Sequence, residues 1–260
     1  NGPVTLSVDS SGEPLSHRGY RPRGGPAPLA ETLAAGILLL AGYDGSEPLL
    51  DPMCGTGTFA VEAALIATAT PPGLRREFAF ERWPVHNLQA FEEIQHQASR
   101  GHREARQAIV ARDRDERAVR ATQRNLKAAW MDRWVTLEQR DALDLELPWG
   151  AGGIIVANTP YGKRVGDVQR LLGFYRRFGD RLKRHATGAT AWILVGEPRL
   201  AKQIGLKAVR KIPLFNGPIE CRLLQYELLP VVVALVWCWR RRRRMHKVEV
   251  ALLLFAGASI

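Results

Sequence analysis

The sequence is poor in cysteine, poor in acid relative to base, and has no apolar run long enough to cross a bilayer. Its three cysteines, Cys54, Cys221 and Cys238, are odd in number, and no two share a C-x-x-C spacing. That argues against a disulfide framework and against a zinc site, and it fits a reducing cytoplasm. The apolar stretches Val231 to Trp239 and Val250 to Ala256 fall short of the roughly 18 residues that a membrane-spanning helix needs, which argues against a membrane protein. Asp and Glu total 26 against 37 Lys and Arg, a formal net charge of +11. So basic a chain expects a polyanionic partner, nucleic acid first. There is no signal-peptide pattern, and the chain starts at Asn1 without methionine, so it reads as a fragment of a longer protein.

What is present suffices for a folded domain. The chain has 260 residues, 46% hydrophobic and 24% charged, which is ordinary globular composition. The charge is uneven. Five arginines (Arg240 to Arg244), Lys247 and Glu249 carry five of the eleven net charges within residues 229–260. This tail, two apolar runs around an arginine block, is expected to stand outside the main fold. A short buried extension, a membrane-surface contact and a non-native read-through all remain open for it, and its arginines could bind RNA without specificity. One folded domain is expected over 1–228, with a lead-in segment at 1–28 and an insert at 70–107.

Hydrophobic periodicity divides the body into alternating strands and helices. Val4 to Val8 alternates and predicts a short strand, followed by a turn at Ser10 to Glu13. Helices are expected over Leu29–Leu40, Phe59–Ala69, Leu88–Ser99, Glu116–Ala129 and Val168–His185. Strands are expected at Leu49–Leu50, Ala108–Ala111, Val135–Glu138, Ile154–Ala157 and Ala191–Val195. The strand runs look buried on both faces, which marks an α/β fold with a mostly parallel sheet. Ala208 to Ile212 and Cys221 to Leu228 flank the turn signal Asn216-Gly217, so a terminal antiparallel pair should close the sheet.

Asp51-Pro52-Met53-Cys54-Gly55-Thr56-Gly57-Thr58 joins a strand to a helix. Gly55 and Gly57 permit a tight turn and close approach of a ligand, and the helix N-terminus offers N–H donors. Gly55-x-Gly57-x-x-Ala60 also fits a dinucleotide pattern, with Glu77 at the distance of its ribose acid. Pro71-Pro72-Gly73 intervenes, however, and no convincing strand precedes Glu77. Asp113 does end a strand and suits the two ribose hydroxyls of an adenosyl ligand. Asp115 is its neighbouring candidate and could equally cap the next helix. Asp141 follows the third strand and is either an acceptor for an adenine amino group or a plain loop acid.

Asn158-Thr159-Pro160-Tyr161-Gly162 follows the fourth strand, where ligands of open α/β sheets bind. An exocyclic amine on a base is a poor nucleophile because its lone pair is delocalised into the ring. Acceptors on its N–H groups, the Asn158 side-chain oxygen and the Thr159 carbonyl, would favour a pyramidal nitrogen as positive charge develops. Tyr161 could stack on the base. The alternative is an ordinary strand followed by a Pro-Tyr-Gly turn.

Taken in order, Asp51 to Thr58, Asn158 to Gly162 and Leu214-Phe-Asn-Gly-Pro-Ile-Glu-Cys-Arg222 resemble the THUMP-associated methyltransferases, and among them the bacterial 23S ribosomal RNA guanine-N2 enzymes. His17 to Arg21 and Ala27 to Leu33 are similar to that family's lead-in. The resemblance covers about Val4 to Leu228. It implies a Rossmann-like class I methyltransferase fold, S-adenosyl-L-methionine as cofactor, ribosomal RNA as partner and an RNA-binding domain upstream. Carried onto this sequence, it implies cofactor contacts from Asp51, Met53, Gly55, Thr56, Gly57, Asp113 and Asp141, and amine and base contacts from Asn158, Pro160 and Tyr161. Thr159 replaces the first proline of the family's Asn-Pro-Pro-Tyr, which predicts a less rigid loop.

Cys54 and Cys221 are expected to be buried and inert, and Trp83, Trp130, Trp134 and Trp149 to serve packing. Arg21, Arg23, Lys163 and Arg164 flank the expected site as phosphate contacts or as a solvated basic face. Three other functions stay open at this point: adenine-N6 methylation, a nicotinamide dehydrogenase, and an RNA-binding module without catalysis.

Overall fold

The computed structural model describes residues 2–21, 29–74, 76–161 and 167–229. The tail from residue 230, Arg23, Gly162, Lys163 and Arg164 lie outside the described residues. The core is one sheet of seven strands: β1 (Leu49–Asp51), β2 (Ile109–Asp113), β3 (Val135–Gln139), β4 (Ile154–Asn158), β5 (Thr190–Val195), β6 (Arg210–Asn216) and β7 (Ile219–Glu227). Their order is β3-β2-β1-β4-β5-β7-β6. The first five run parallel, and β7 enters antiparallel between β5 and β6. This is the Rossmann-like sheet with a terminal antiparallel pair, although β6 starts later and runs further than the sequence pattern suggested.

The central parallel strands are covered on both faces. β1, β2, β4 and β5 bury nearly every residue, as continuous apolar runs demand. Helices α1 (Glu31–Leu40), α2 (Thr58–Ala67) and α4 (Glu116–Ala129) lie on one face. There α2 buries nine of its ten residues, whereas α4 is amphipathic and buries Thr122, Asn125, Leu126 and Ala129. Helix α5 (Asp167–His185) packs Tyr175, Phe178 and Leu182 on the opposite face. It is joined there by α6 (Pro198–Gln203), a short helix that periodicity did not reveal, begun by Pro198 and capped by the Glu197 carboxylate on the Arg199 N–H.

Helix α3 (Leu88–Ser99) forms as expected but buries none of its residues. It holds a satellite cluster in the insert, Phe91 meeting Phe80 edge-on at 5.1 Å. Arg76 ties this insert to the lead-in by donating to the carbonyls of Ser11, Glu13, Pro14 and His17.

Two expectations are corrected. Val4 to Val8 is not a strand: it has no ladder partner among the described residues, and Val4 and Leu6 are 86% and 92% exposed. Alternation supplies a face but no neighbour to pair with. Trp130 is not a core packing residue: it ends α4 in a left-handed C-cap with φ 59 and is 64% exposed. Trp134 does pack against the core, and Trp149 donates to the Gly152 carbonyl at 2.9 Å. Cys54 and Cys221 are buried free thiols. Among the described residues no helix is long and apolar enough to cross a membrane.

Candidate functional site

The carboxyl ends of β1, β2 and β4 bring Asp51, Asp113 and Asn158 to one edge of the sheet, because these three strands are parallel neighbours. The loop after β1 is fixed from two sides. Gly55 N–H donates to Asp113 Oδ2 at 2.9 Å, while Asp113 Oδ1 accepts from Asp115 N–H at 2.9 Å. Asp113 thus organises the glycine loop as well as the turn after β2. From the other side α4 contributes two side chains. Thr122 Oγ1 donates to the Gly55 carbonyl at 3.0 Å, and Asn125 Nδ2 donates to the Thr56 carbonyl at 2.8 Å. Gly57 needs to be glycine here: its φ is +80, and a Cβ would lie 2.5 Å from Thr122 Cγ2.

The loop's outer side fits a ligand. A Cβ on Gly55 would meet nothing within 4 Å. The buried Thr56 hydroxyl has no hydrogen-bond partner among the described residues, and no side chain caps the first N–H groups of α2, so donors remain for an anionic group. Beneath the loop, Asp51 is 1% exposed and accepts from Met53 N–H at 3.1 Å. Burial pushes its pKa up to about 8, against the pull of the Met53 N–H and with the help of the Asp113 charge. The Met53 side chain itself packs against the α5 side of the core. Asp141 caps the short turn Ala142–Asp144 by accepting from Leu143 N–H at 2.8 Å, with Arg114 4.0 Å away. It therefore has a structural task as a loop acid, beside any ligand contact.

The lead-in reaches this loop from below. Arg21 donates to Thr58 Oγ1 at the start of α2 and to the Leu29 carbonyl, and it faces buried Glu31 at 3.6 Å. Arg18 and the Tyr20 hydroxyl converge on Glu62, 3.5 Å and 3.4 Å away. Burial raises the Glu62 pKa to about 7 despite the opposing charge of Arg18. Arg21 is accordingly not the phosphate contact or solvated cation that its position suggested, because a buried carboxylate draws it inward.

At the end of β4, Tyr161 Oη donates to Asn158 Oδ1 at 2.5 Å, and Asn216 Nδ2 donates to Tyr161 Oη at 3.4 Å. The Tyr161 ring lies against Gly196, where a Cβ would fall 2.7 Å from its Cγ. Burial raises the phenol's pKa, so it remains a protonated donor. Thr159 is 2% exposed and well held. Its N–H and Oγ1 both donate to the Leu194 carbonyl, at 3.2 Å and 2.7 Å, and Tyr175 Oη donates to Thr159 Oγ1 at 2.6 Å. Three hydrogen bonds thus hold Thr159 where the resembled motif has its first proline. Pro160 offers its carbonyl to Tyr175 Oη at 3.0 Å. The Thr159 carbonyl accepts from no donor among the described residues.

A half-buried strand-end amide thus lies beside a carbonyl that accepts from no described donor, at the same sheet edge as the glycine loop. The family described as "RMKL-like, methyltransferase domain" matches residues 18–225. The chain belongs to this methyltransferase family. "Ribosomal RNA large subunit methyltransferase K/L" of Syntrophotalea carbinolica is 40% identical, over 86% of this chain but 33% of its own length. The chain thus spans about a third of that relative. The crystal structure of SMU.472 complexed with SAH superposes with a TM-score of 0.79 at 30% identity, covering 86% of this chain and 58% of that one. A "predicted N6-adenine-specific DNA methylase" from Listeria monocytogenes gives 0.78 at 32% identity, covering 85% and 57%.

Within the RMKL-like fold the site contains residues that motif reading passed over. Thr122 and Asn125 are a polar pair three residues apart on the buried face of α4, a signal present in the sequence. Gly196 is revealed by the sheet topology, which sets β5 beside β4, and Asn216, legible in sequence only as part of a turn and a family motif, gains its contact with Tyr161 from the same topology.

Proposed function

We propose that this chain transfers a methyl group from S-adenosyl-L-methionine to the exocyclic N2 of a guanine in 23S ribosomal RNA. The observation that carries the reading is Asn158 Oδ1, held by Tyr161 at the sheet edge beside the Thr159 carbonyl, which accepts from no donor among the described residues. A carboxamide oxygen has two lone pairs, so one stays available to the amine after Tyr161 takes the other. Both acceptors gain as the nitrogen becomes cationic, which makes their stabilisation specific to the transition state. S-adenosyl-L-methionine supplies the activated methyl group. Gly55, Gly57 and the α2 N-terminus would receive its anionic end, Asp113 its ribose and Asp141 its adenine, with Asp51 and Met53 shaping the loop. Thr56 would donate its unpartnered hydroxyl. Tyr161 is assigned here to holding Asn158, since Gly196 already takes up one side of its ring.

The name of the Syntrophotalea relative and the resemblance to the THUMP-associated enzymes support ribosomal RNA as the substrate, and the cytoplasm as the compartment. The greater length of that relative leaves room for a separate RNA-binding domain, upstream by the same resemblance. The Listeria neighbour's name favours a second reading, methylation of adenine N6, which the same two acceptors would serve. Incubation with isotopically labelled S-adenosyl-L-methionine and unmodified large-subunit RNA, followed by nucleoside mass spectrometry, separates the two. Labelled N2-methylguanosine is expected. Label in N6-methyladenosine would select the second reading, and no label from a folded, cofactor-binding sample would refute both.

A further inference from the structure

The β6–β7 hairpin carries a face that the methyl-transfer chemistry does not use. Successive residues of a strand alternate between faces. Ile212 and Leu214, paired with Leu223 and Cys221, turn toward the core shared with α1 and α2. Lys211, Pro213 and Phe215, paired with Leu224, Arg222 and Glu220, turn the other way. Helices α5 and α6 cover that second face over β4 and β5, and Leu224 and Tyr226 are buried beneath them. Beyond them Lys211, Pro213, Phe215, Glu220 and Arg222 are exposed, the Phe215 ring by 66%. Arg199, in the first turn of α6, is exposed on the same side, since Leu200 anchors that helix to this face.

The hairpin also overruns the sheet at the site's end. The last pair between β5 and β7 is Val195 with Arg222. Ile219, Glu220 and Cys221 therefore project beyond β5, by about 10 Å at roughly 3.3 Å per residue. The tip is tied to the site by Asn216, which donates to Tyr161 Oη at 3.4 Å. Phe215, the residue before it, faces outward. Three cations, one acid and an uncovered aromatic ring thus stand on one face of a hairpin whose tip is tied through Asn216 and Tyr161 to Asn158.

We propose that this face is a platform for single-stranded RNA flanking the target nucleotide, with Phe215 stacking on a neighbouring base and Lys211, Arg222 and Arg199 meeting phosphates. The proposal rests on the reading that the substrate is RNA. A base presented to Asn158 must leave its stack, which exposes the faces of its neighbours. An aromatic ring fixed at the site's rim replaces that lost stacking without regard to sequence, and cations along the strand hold the backbone. Tyr161 is poorly placed for this task because its ring is packed on Gly196.

The test measures binding of a short fluorescein-labelled oligouridine with one central guanine, by anisotropy over a salt series. Arg240 to Arg244 are present in every variant, so differences belong to the face. Phe215→Ala should weaken binding about tenfold with an unchanged salt slope, and Phe215→Trp should restore it. The double variant Lys211→Gln, Arg222→Gln should lower the log–log salt slope by roughly 0.7 per charge removed. Cofactor binding, followed by calorimetry, should be equal in all of them. The platform is overturned if Phe215→Ala binds RNA as the parent does, or if its weaker binding comes with a lower melting temperature and lost cofactor affinity. The latter result would mean that the ring packs against another part of this chain. The two readings fail separately. Methyl transfer by the parent with no effect of Phe215→Ala sinks the platform alone, whereas a Phe215 effect on binding without any methyl transfer sinks the enzymatic reading alone.

Discussion

The two halves of the sheet edge are built in different ways. Around β1 and β2 the backbone itself forms the site, and side chains brace it: Asp113 on the Gly55 N–H, Thr122 and Asn125 on the next two carbonyls. Around β4 and β5 the backbone offers one carbonyl, that of Thr159, and the other proposed acceptor is a side chain held by side chains, Asn158 by Tyr161 and Tyr161 by Asn216. A backbone cradle suits a ligand that is the same in every cycle. A relay of side chains reaching an exposed hairpin suits a ligand that must enter and leave as part of a large polymer.

If that division is right, substitutions in the two halves damage different steps. Asn158→Ala removes one amine acceptor, and turnover should fall about 100-fold or more, the scale for a single transition-state hydrogen-bonding group. Cofactor affinity by calorimetry should stay near that of the parent. Asp113→Ala frees the Gly55 N–H and should weaken cofactor binding first. Equal loss of cofactor affinity in both variants would erase the distinction between the halves.

The cradle half was the more legible in the sequence, for a physical reason. A glycine loop between a strand and a helix is local, so its residues are neighbours in the chain, and Asp113 is marked by the apolar strand it ends. The substrate half depends on topology. Nothing near Tyr161 in sequence announces Gly196, on which its ring rests, or Asn216, which binds its hydroxyl. Gly196 arrives because β5 pairs with β4, and Asn216 because β7 inserts between β5 and β6. Arg21 misled for a related reason: its charge was plain, but the buried Glu31 and Thr58 that claim it were not. Val4 to Val8 shows the limit of alternation, which specifies two faces and leaves open whether a neighbouring strand exists.

Asp51 sharpens the comparison through pH. Its folded pKa of about 8 lies above the roughly 3.9 of an unfolded aspartate. Between those values the folded protein keeps a proton that the unfolded chain has lost. Stability contributed by the neutral buried acid is therefore present at low pH and drains away as pH rises toward 8. Glu62, at about 7, acts in the same direction. Denaturant titrations at pH 6 and pH 8.5 should show the parent less stable at the higher pH, and Asp51→Asn should reduce that difference while keeping an acceptor for Met53 N–H. An undiminished difference in Asp51→Asn would place the proton elsewhere, with Glu62→Gln the next variant to measure.

The smallest expected effect concerns the residue that departs from the family's proline. Thr159→Val keeps the shape and the N–H bond to the Leu194 carbonyl but removes the hydroxyl that donates to Leu194 and accepts from Tyr175. Tyr175 retains the Pro160 carbonyl at 3.0 Å, so the loss should be about 1–2 kcal/mol rather than that of a stranded phenol. If the hydroxyl stands in for the rigidity of a proline, Thr159→Pro should lose the N–H bond yet recover turnover above that of Thr159→Val. Turnover that falls further in Thr159→Pro than in Thr159→Val would mean that the strand-end hydrogen bonds, and not stiffness of the loop, keep Asn158 aimed at its amine.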